Sequence, residues 1–368
     1  MKCHFVYSVP FTKGMFGTRI INKIRRVLNG KGFIDILIKM RQPTEEEMDT
    51  WPARHPATVA KFLYSALSKK MPTFLYHISE RARCNFSPDD IFIGHPYFPH
   101  RAGGYGVTEL AANEDIRPRK YALISPLHCD ISIAGDHINK EYLNDIENLL
   151  PKTDVLFAIM GEYWWDKWDS SPFAHWKPKM VRLDMAVDVN DFPRIKKRFN
   201  KPGRRGFLYI GVNEPRKGTD FLSNLMGSIG DCPKGWIGPG EEIPNVTRIA
   251  KDRPLTPEFV ATLVDEYDFF ISPSRVDPNP TTILQSMAWG FPVVCTPQSG
   301  YYETAYRRNI FLDDIQKSVA VLNELQYADE SELIEMADKA REVVVSDYNW
   351  DKFTSTVILH LYAGHNVK

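Results

Sequence analysis

The stretch Phe269–Val294 reads FFISPSRVDPNPTTILQSMAWGFPVV, and the order of its parts decides how the chain folds. FFISPS is an apolar run of strand length closed by a proline, and reads as a buried strand. DPNP is the turn at its carboxyl end. Asn279 is a preferred N-cap residue, and Pro280 suits the first helical position, where a missing N–H costs nothing. The helix then runs TTILQSMAW, with Ile283, Leu284, Met287 and Ala288 on its apolar side, and stops at Gly290. Free N–H groups near Thr281 and Thr282 are expected to point out of the carboxyl edge of a parallel sheet, which makes an anion site. Asp277 in the turn and Gln285 one turn into the helix flank it. Taken alone, the pattern fits a well-capped structural helix equally well.

Working outward, the same texture recurs. Short apolar runs (CHFVYSV, FIDILIKM, DIFIGHP, KYALISPLH, DVLFAIMG, GFLYIGV, KGWIG, VTRIAK and FPVVCT) alternate with amphipathic stretches such as TRIINKIRRVLNG and TPEFVATLVDEYD. Runs too short for helices, interleaved with helical periods, predict βα units and mainly parallel sheets. At 368 residues the chain is long for one core, so two domains are expected. The polar, basic and Pro/Gly-broken segment Asp191 to Gly206 marks the seam. The expectation is an α/β fold of two doubly wound, Rossmann-like domains, 1–192 and 204–348, facing each other across a cleft that is the default ligand site.

Lys plus Arg equals Asp plus Glu, 46 each, which argues against a dedicated nucleic-acid binder. No run reaches the roughly 18 apolar residues of a membrane span, and the apolar N-terminus is too short for a signal peptide. The five cysteines are odd in number and never spaced as CxxC, as for reduced thiols. A cytoplasmic enzyme is the expectation; the oligomeric state is not legible.

Two further features accompany the opening stretch. FLYIGVNEPRKGTDFL joins a strand, a turn and a helix start, with Arg216 and Lys217 in the turn. Lys217 before a glycine reaches a phosphate as a point charge, or else is a solvated surface lysine. KGWIGPGEE ends a strand in Gly238-Pro239-Gly240, where backbone can approach a ligand closely. This is not the dinucleotide fingerprint GxGxxG, so a nicotinamide enzyme is disfavoured.

The order FLYIGVNEPRKG, WIGPGEE, then YDFFISPSRVDPNPTTILQSMAWGFPVVCTPQSGYYE resembles the donor domain of glycosyltransferase family 4, most clearly from Met185 onward. That resemblance implies a GT-B fold and a retaining transferase. It places sugar hydroxyls on Asp277, ribose hydroxyls on Gln285 and the diphosphate on Lys217, with Arg216, Gly238, Asn279, Thr281 and Thr282 around the nucleotide. SGYYE, ending at Glu303, fits the family's last donor element, and Ala186-Val187-Asp188 its exit from the first domain. The final stretch 349–368 resembles the helix that returns to the first domain. Where the family has Glu at positions 277 and 285 and Arg at 212, this chain has Asp277, Gln285 and Val212. An ionised acceptor on a hydroxyl is worth about 1.5–3 kcal/mol against roughly 0.5–1.5 for a neutral one. Gln285 should then weaken ribose binding by about tenfold without abolishing it. The leaving diphosphate must draw its positive charge from Lys217, Arg216 and the helix N-terminus.

In the first half, Gly14 and Gly17 loosely resemble the family's small-residue loop on the acceptor side, and a plain βα turn explains them as well. His95 and His128 each close an apolar strand at its carboxyl end. The resemblance favours His128 as the active-site histidine, with Asp130 beside it and His95 on the acceptor side. GEYWWDKWDSSPFAHW offers aromatic faces for a sugar, though core packing explains its tryptophans first.

The implied reaction moves a sugar from a nucleoside-diphosphate sugar, of UDP or GDP type, to a carbohydrate or other hydroxyl-bearing acceptor. No cofactor and no metal are expected, since Asp-x-Asp is nowhere in the chain. Two alternatives stay open: a non-catalytic carbohydrate- or nucleotide-binding protein, and a nucleotide-sugar epimerase on the same fold.

Overall fold

Stiff, β-branched and aromatic runs flanked by glycine, proline and aspartate set the strands. A computed structural model describes residues 1–7, 42–53, 55–77, 87–96, 118–132 and 137–362. Gly14, Gly17 and the runs TRIINKIRRVLNG and FIDILIKM lie outside these residues.

The first sheet contains β1 (Cys3–Tyr7), β2 (Thr73–His77), β3 (Ile91–Gly94), β4 (Lys120–Pro126), β5 (Val155–Ile159) and β6 (Met180–Leu183), in the order β2-β1-β3-β4-β5-β6. β1 pairs in parallel with β2 and β3, and β3 with β4. The second contains β7 (Gly206–Ile210), β8 (Lys234–Ile237), β9 (Thr247–Ala250), β10 (Tyr267–Ser272), β11 (Val293–Cys295) and β12 (Arg307–Asn309), in the order β12-β11-β10-β7-β8-β9, with parallel pairs throughout. Sequence alternation anticipated most of these strands. It missed β2, β6 and β12, each only three to five residues long.

In the second sheet the chain winds outward from β7 through β8 to β9, then returns to the other side of β7 for β10, β11 and β12. That is the doubly wound order, and its reversal lies between β7 and β10. Helices Thr219–Ser228, Thr281–Trp289 and Ile315–Tyr327 connect or flank these strands. Phe207, Tyr209, Trp236, Phe269, Ile271 and Val294 from the strands pack with Leu222, Leu225 and Leu322 from the helices. In the first sheet, Phe5, Val6, Leu75, Phe92 and Ile93 are buried together with Leu63 and Leu67 of helix Ala57–Ser68.

The chain divides into two compact units: Met1–Ser125 with Glu141–Leu156 and Ile358–Lys368, and Pro126–Lys140 with Phe157–Val357. The segment Asp191 to Gly206, read from sequence as a polar seam, therefore runs inside the second unit. The reason is a buried polar network. Lys196 and Asp268 form an ion pair of 2.8 Å, with side chains 2% and 0% exposed. Asp268 also accepts from the backbone N–H groups of Asn200 and Gly206. Arg205 donates to the carbonyls of Asn200, Leu325 and Ala328. Basic residues that look like solvated linker are the second unit's internal fasteners.

No helix among the described residues is long and apolar enough to cross a membrane. Cys3, Cys129, Cys232 and Cys295 carry free thiols.

Removing one member of a buried ion pair leaves the other charge uncompensated, at a cost of about 3–5 kcal/mol. Asp268→Ala should lose that much in urea denaturation. Lys339→Ala, at the exposed pair with Glu342, should stay within about 0.5 kcal/mol.

Candidate functional site

Two strands flank the reversal point of the second sheet, and the loops at their carboxyl ends carry the candidate residues. β7 is followed by Gly211–Glu214 and a single turn of 3-10 helix, Pro215–Lys217. The chain then passes through Gly218 at φ 66° into helix Thr219–Ser228. A Cβ at Gly218 would stand 2.0 Å from the carbonyl oxygen of Pro273, so both the left-handed backbone and the close approach to the neighbouring loop require glycine. β10 is followed by Pro273–Pro280 and helix Thr281–Trp289.

These two loops are stitched together. The Arg216 carbonyl accepts from the N–H groups of Arg275 (2.9 Å) and Val276 (3.1 Å). The Lys217 ammonium is ion-paired with the Asp277 carboxylate, with side chains 17% and 11% exposed. Arg216 reaches outward and pairs with Glu214. A lysine and an aspartate sixty residues apart in sequence thus meet at the sheet's switch point.

The turn before the helix differs in detail from its sequence reading. Pro280, not Asn279, is the N-cap, and Thr281 is the first helical residue. Asn279 is occupied elsewhere: its side-chain oxygen accepts from the Met185 N–H (3.0 Å) and the Tyr301 hydroxyl (2.9 Å). A buried asparagine that ties three segments together cannot also fold back onto the helix start. Thr281 and Thr282 are half-buried at the first turn, where helical geometry leaves N–H groups without an internal acceptor. Gln285 is buried one turn further on.

His128 lies two residues beyond β4, in the second unit. It is half-buried, its Nδ1 is closed off from solvent, and that atom has no hydrogen-bond partner. Burial lowers its pKa to about 4, while the Asp130 and Asp277 carboxylates pull the other way and Arg216 adds to the lowering. The imidazole therefore feels both loops of the switch point and is neutral at pH 7. One oxygen of the Asp130 carboxylate, Oδ1, accepts from the N–H and the hydroxyl of Ser132. Tyr209 of β7 senses the same groups: burial raises its pKa, and Asp277 adds to the rise. Its hydroxyl donates to the Val212 carbonyl.

Gly238 is needed by the chain itself. A Cβ there would stand 1.9 Å from the Gly211 carbonyl oxygen, which also accepts from the Trp236 indole N–H. Glu303 lies at the surface and receives the Asn309 N–H, steadying β12. His95 belongs to the first unit. Its N–H bonds the Val6 carbonyl across the ends of β1 and β3, and its ring meets Tyr7 edge-on at 4.9 Å. Burial lowers its pKa to about 4, and its Nδ1 has no partner. Trp164, Trp168 and Trp176 are fully buried, so packing takes these aromatic faces; Trp165 instead lies beneath the Lys177 ammonium. Sequence reasoning missed Trp164, which donates to the Asp277 carbonyl; nothing in its local pattern separates it from its neighbours. Among the described residues no group of three or more His, Cys, Asp or Glu side chains could hold a metal ion.

No protein-family model matches the chain. Over 167 residues, 43% of its length, it is 29% identical to TuaC of Bacillus subtilis (strain 168), assigned as a glycosyltransferase of teichuronic acid biosynthesis. The match spans 42% of TuaC, less than half of that protein. The fold is similar to that of sucrose-phosphate synthase from Thermosynechococcus elongatus, with TM-score 0.59 and 13% identity over 97% of both chains. It is equally similar to the E. coli trehalose-6-phosphate protein solved with UDP-2-fluoro glucose bound, at TM-score 0.59 and 11% identity over 99% of both chains. The two doubly wound parallel sheets are those of the GT-B class of folds, and the resemblance to glycosyltransferases holds in sequence as well as in fold.

A histidine whose pKa is lowered in the folded protein takes up a proton more readily when unfolded. The stability due to a neutral His128 is therefore full above the ordinary value of 6.5 and is lost as pH falls from there towards about 4. His128→Gln should show a shallower loss of stability than the parent protein across that window, read from denaturation midpoints at stepped pH.

Proposed function

We propose that the protein is a retaining glycosyltransferase that moves a sugar from a UDP- or GDP-linked donor to the hydroxyl of a carbohydrate or other acceptor, without a metal at the chemical step. One observation carries this reading: Lys217 and Asp277 meet at the carboxyl edge of the second sheet, at its topological switch point, within reach of a neutral His128. Open α/β sheets bind their ligands at such points. In support, a protein of similar fold is solved with UDP-2-fluoro glucose, and TuaC is assigned as a glycosyltransferase.

In this reading residues 204–348 form the donor half and 1–192 the acceptor half. The donor diphosphate lies against Lys217, Arg216, the backbone near Gly238 and the N–H groups at Thr281 and Thr282, with Gln285 on the ribose. Asn279 holds the turn in place. The acceptor oxygen bonds to the anomeric carbon as the bond to the diphosphate oxygen breaks on the same face. The departing phosphate takes the acceptor's proton, so no side chain need be a nucleophile. The protein stabilises the leaving charge and the developing positive charge on the sugar, the latter through Asp277. His128, uncharged, bonds a donor-sugar hydroxyl through Nε2, its Nδ1 being closed off from solvent. Gly14, Gly17 and His95 belong to the acceptor side.

The reading is tested first by a thermal-shift screen of nucleotides and nucleotide sugars, because a bound donor stabilises in proportion to its affinity. Active donors are then followed with candidate acceptors. Consumption of donor with no acceptor present, giving an isomeric sugar, would identify an epimerase instead. Binding without turnover in every acceptor mixture would leave a binding protein.

Lys217→Ala should weaken binding of the nucleoside diphosphate by about tenfold in calorimetry. An unchanged affinity would remove Lys217 from the site. His128→Ala should cut turnover far more than donor affinity; normal turnover would return that histidine to a purely structural role.

A further inference from the structure

We propose that Trp164 is a positioning residue that sets the His128 imidazole and the Asp277 carboxylate relative to one another; this rests on the reading of those two residues given above. Trp164 is the third residue of helix Glu162–Trp168 and is 0% exposed. Its indole N–H is shared between the carbonyls of Asp277 (3.0 Å) and Gln298 (3.1 Å). The Gln298 carbonyl also accepts the N–H of Asp277 at 3.0 Å. The backbone on both sides of the Asp277 side chain is thereby tied to one indole and one carbonyl.

The indole ring makes the second contact. The His128 imidazole packs against the Trp164 ring with centroids 5.5 Å apart and planes inclined at 54°. An indole has two side-chain torsions and a large rigid surface, so it fixes what it touches at small entropic cost. The helix that bears it is itself pinned to the same turns. Gly161 donates to the Pro278 carbonyl at 2.8 Å, and Tyr163 to the Gly300 carbonyl at 3.3 Å. A Cβ on Gly161 would stand 2.0 Å from the Gly300 carbonyl oxygen, so helix and turn touch backbone to backbone. With the helix tied to these turns, the indole edge holds the aspartate's backbone and the indole face holds the histidine. The spacing of the two groups passes through one side chain.

Two substitutions separate this role from plain packing. Trp164→Phe keeps a ring against His128 and removes the N–H from Asp277. Trp168→Phe is the control: Trp168 lies on the same helix, is equally buried, and donates its N–H to the Phe173 carbonyl at 2.8 Å. Both variants should lose similar thermal stability. Trp164→Phe should lower kcat by about tenfold, the scale of one lost buried hydrogen bond, with donor KM changed less than about threefold. Trp168→Phe should leave kcat within about twofold. Equal kcat in the two variants would overturn the proposal.

The second readout needs no activity. In the 368-residue chain, the titration midpoint of the His128 ring-proton resonances, assigned by their loss in His128→Gln, should move up on Trp164→Leu and stay in place on Trp168→Leu. Unlike the resonance position, the midpoint is not moved by loss of an indole ring current alone. A midpoint unmoved by Trp164→Leu would overturn the positioning role. Should the parent protein transfer no sugar from any donor, the functional reading fails while this spectroscopic result still decides whether Trp164 sets the ring.

Discussion

The turn Pro273–Pro280 is held by its backbone from three directions, and the candidate site depends on that constraint. Arg216 accepts from Arg275 and Val276, Gln298 accepts from Asp277, and Trp164 donates to Asp277. A polar loop at the end of a buried strand has carbonyl and N–H groups that must be satisfied somewhere. Here several are satisfied by neighbouring loops and by the indole of helix Glu162–Trp168, which tie the turn down. Its side chains are then free to differ from the backbone in purpose. The Asp277 carboxylate faces Lys217, while Asn279 points back to bind Met185 and Tyr301.

That rigidity fits the proposed chemistry. Transfer with a diphosphate leaving group asks for fixed positive charge and fixed dipoles at the place where negative charge develops. The loops after β7 and β10 bring a lysine, an arginine and a helix N-terminus to one edge of the sheet. His128 stays neutral because burial disfavours its charged form more than Asp130 and Asp277 favour it. A neutral ring beside a carboxylate can exchange hydrogen bonds with sugar hydroxyls without bringing a second cation against Lys217. The departures from the resembling family, Asp277, Gln285 and Val212, therefore sit in a frame that is otherwise strongly tied down.

Much of this was legible along the chain. FFISPS announced β10, SMAWG the end of its following helix, and GFLYIG the strand before Lys217. Those segments carry strong local signals: uninterrupted apolar runs, helix-stopping glycine and stiff turn residues. Of the three strands that escaped notice, two carry charged residues that break the apolar run, as RRN of β12 does. The basic stretch Asp191 to Gly206 was misjudged for a different reason. Composition marks it as solvent-facing, but Lys196 and Arg205 find buried partners in Asp268 and in carbonyls more than sixty residues away. Asn279 likewise looked like a cap and serves as a cross-link.

By itself the sequence determined the alternation of strands and helices, the α/β class and the identity of the residues at the carboxyl ends of β4, β7 and β10. Local periodicity and turn chemistry suffice for those, since they depend on neighbours a few positions apart. Only the tertiary structure decided which of those residues meet. Strand order put β10 beside β7 and so joined Asp277 to Lys217, and the helix after β5 brought Trp164 between His128 and Asp277. Contacts between segments far apart in the chain arise from sheet order and close packing, and neither leaves a mark in any short stretch of residues.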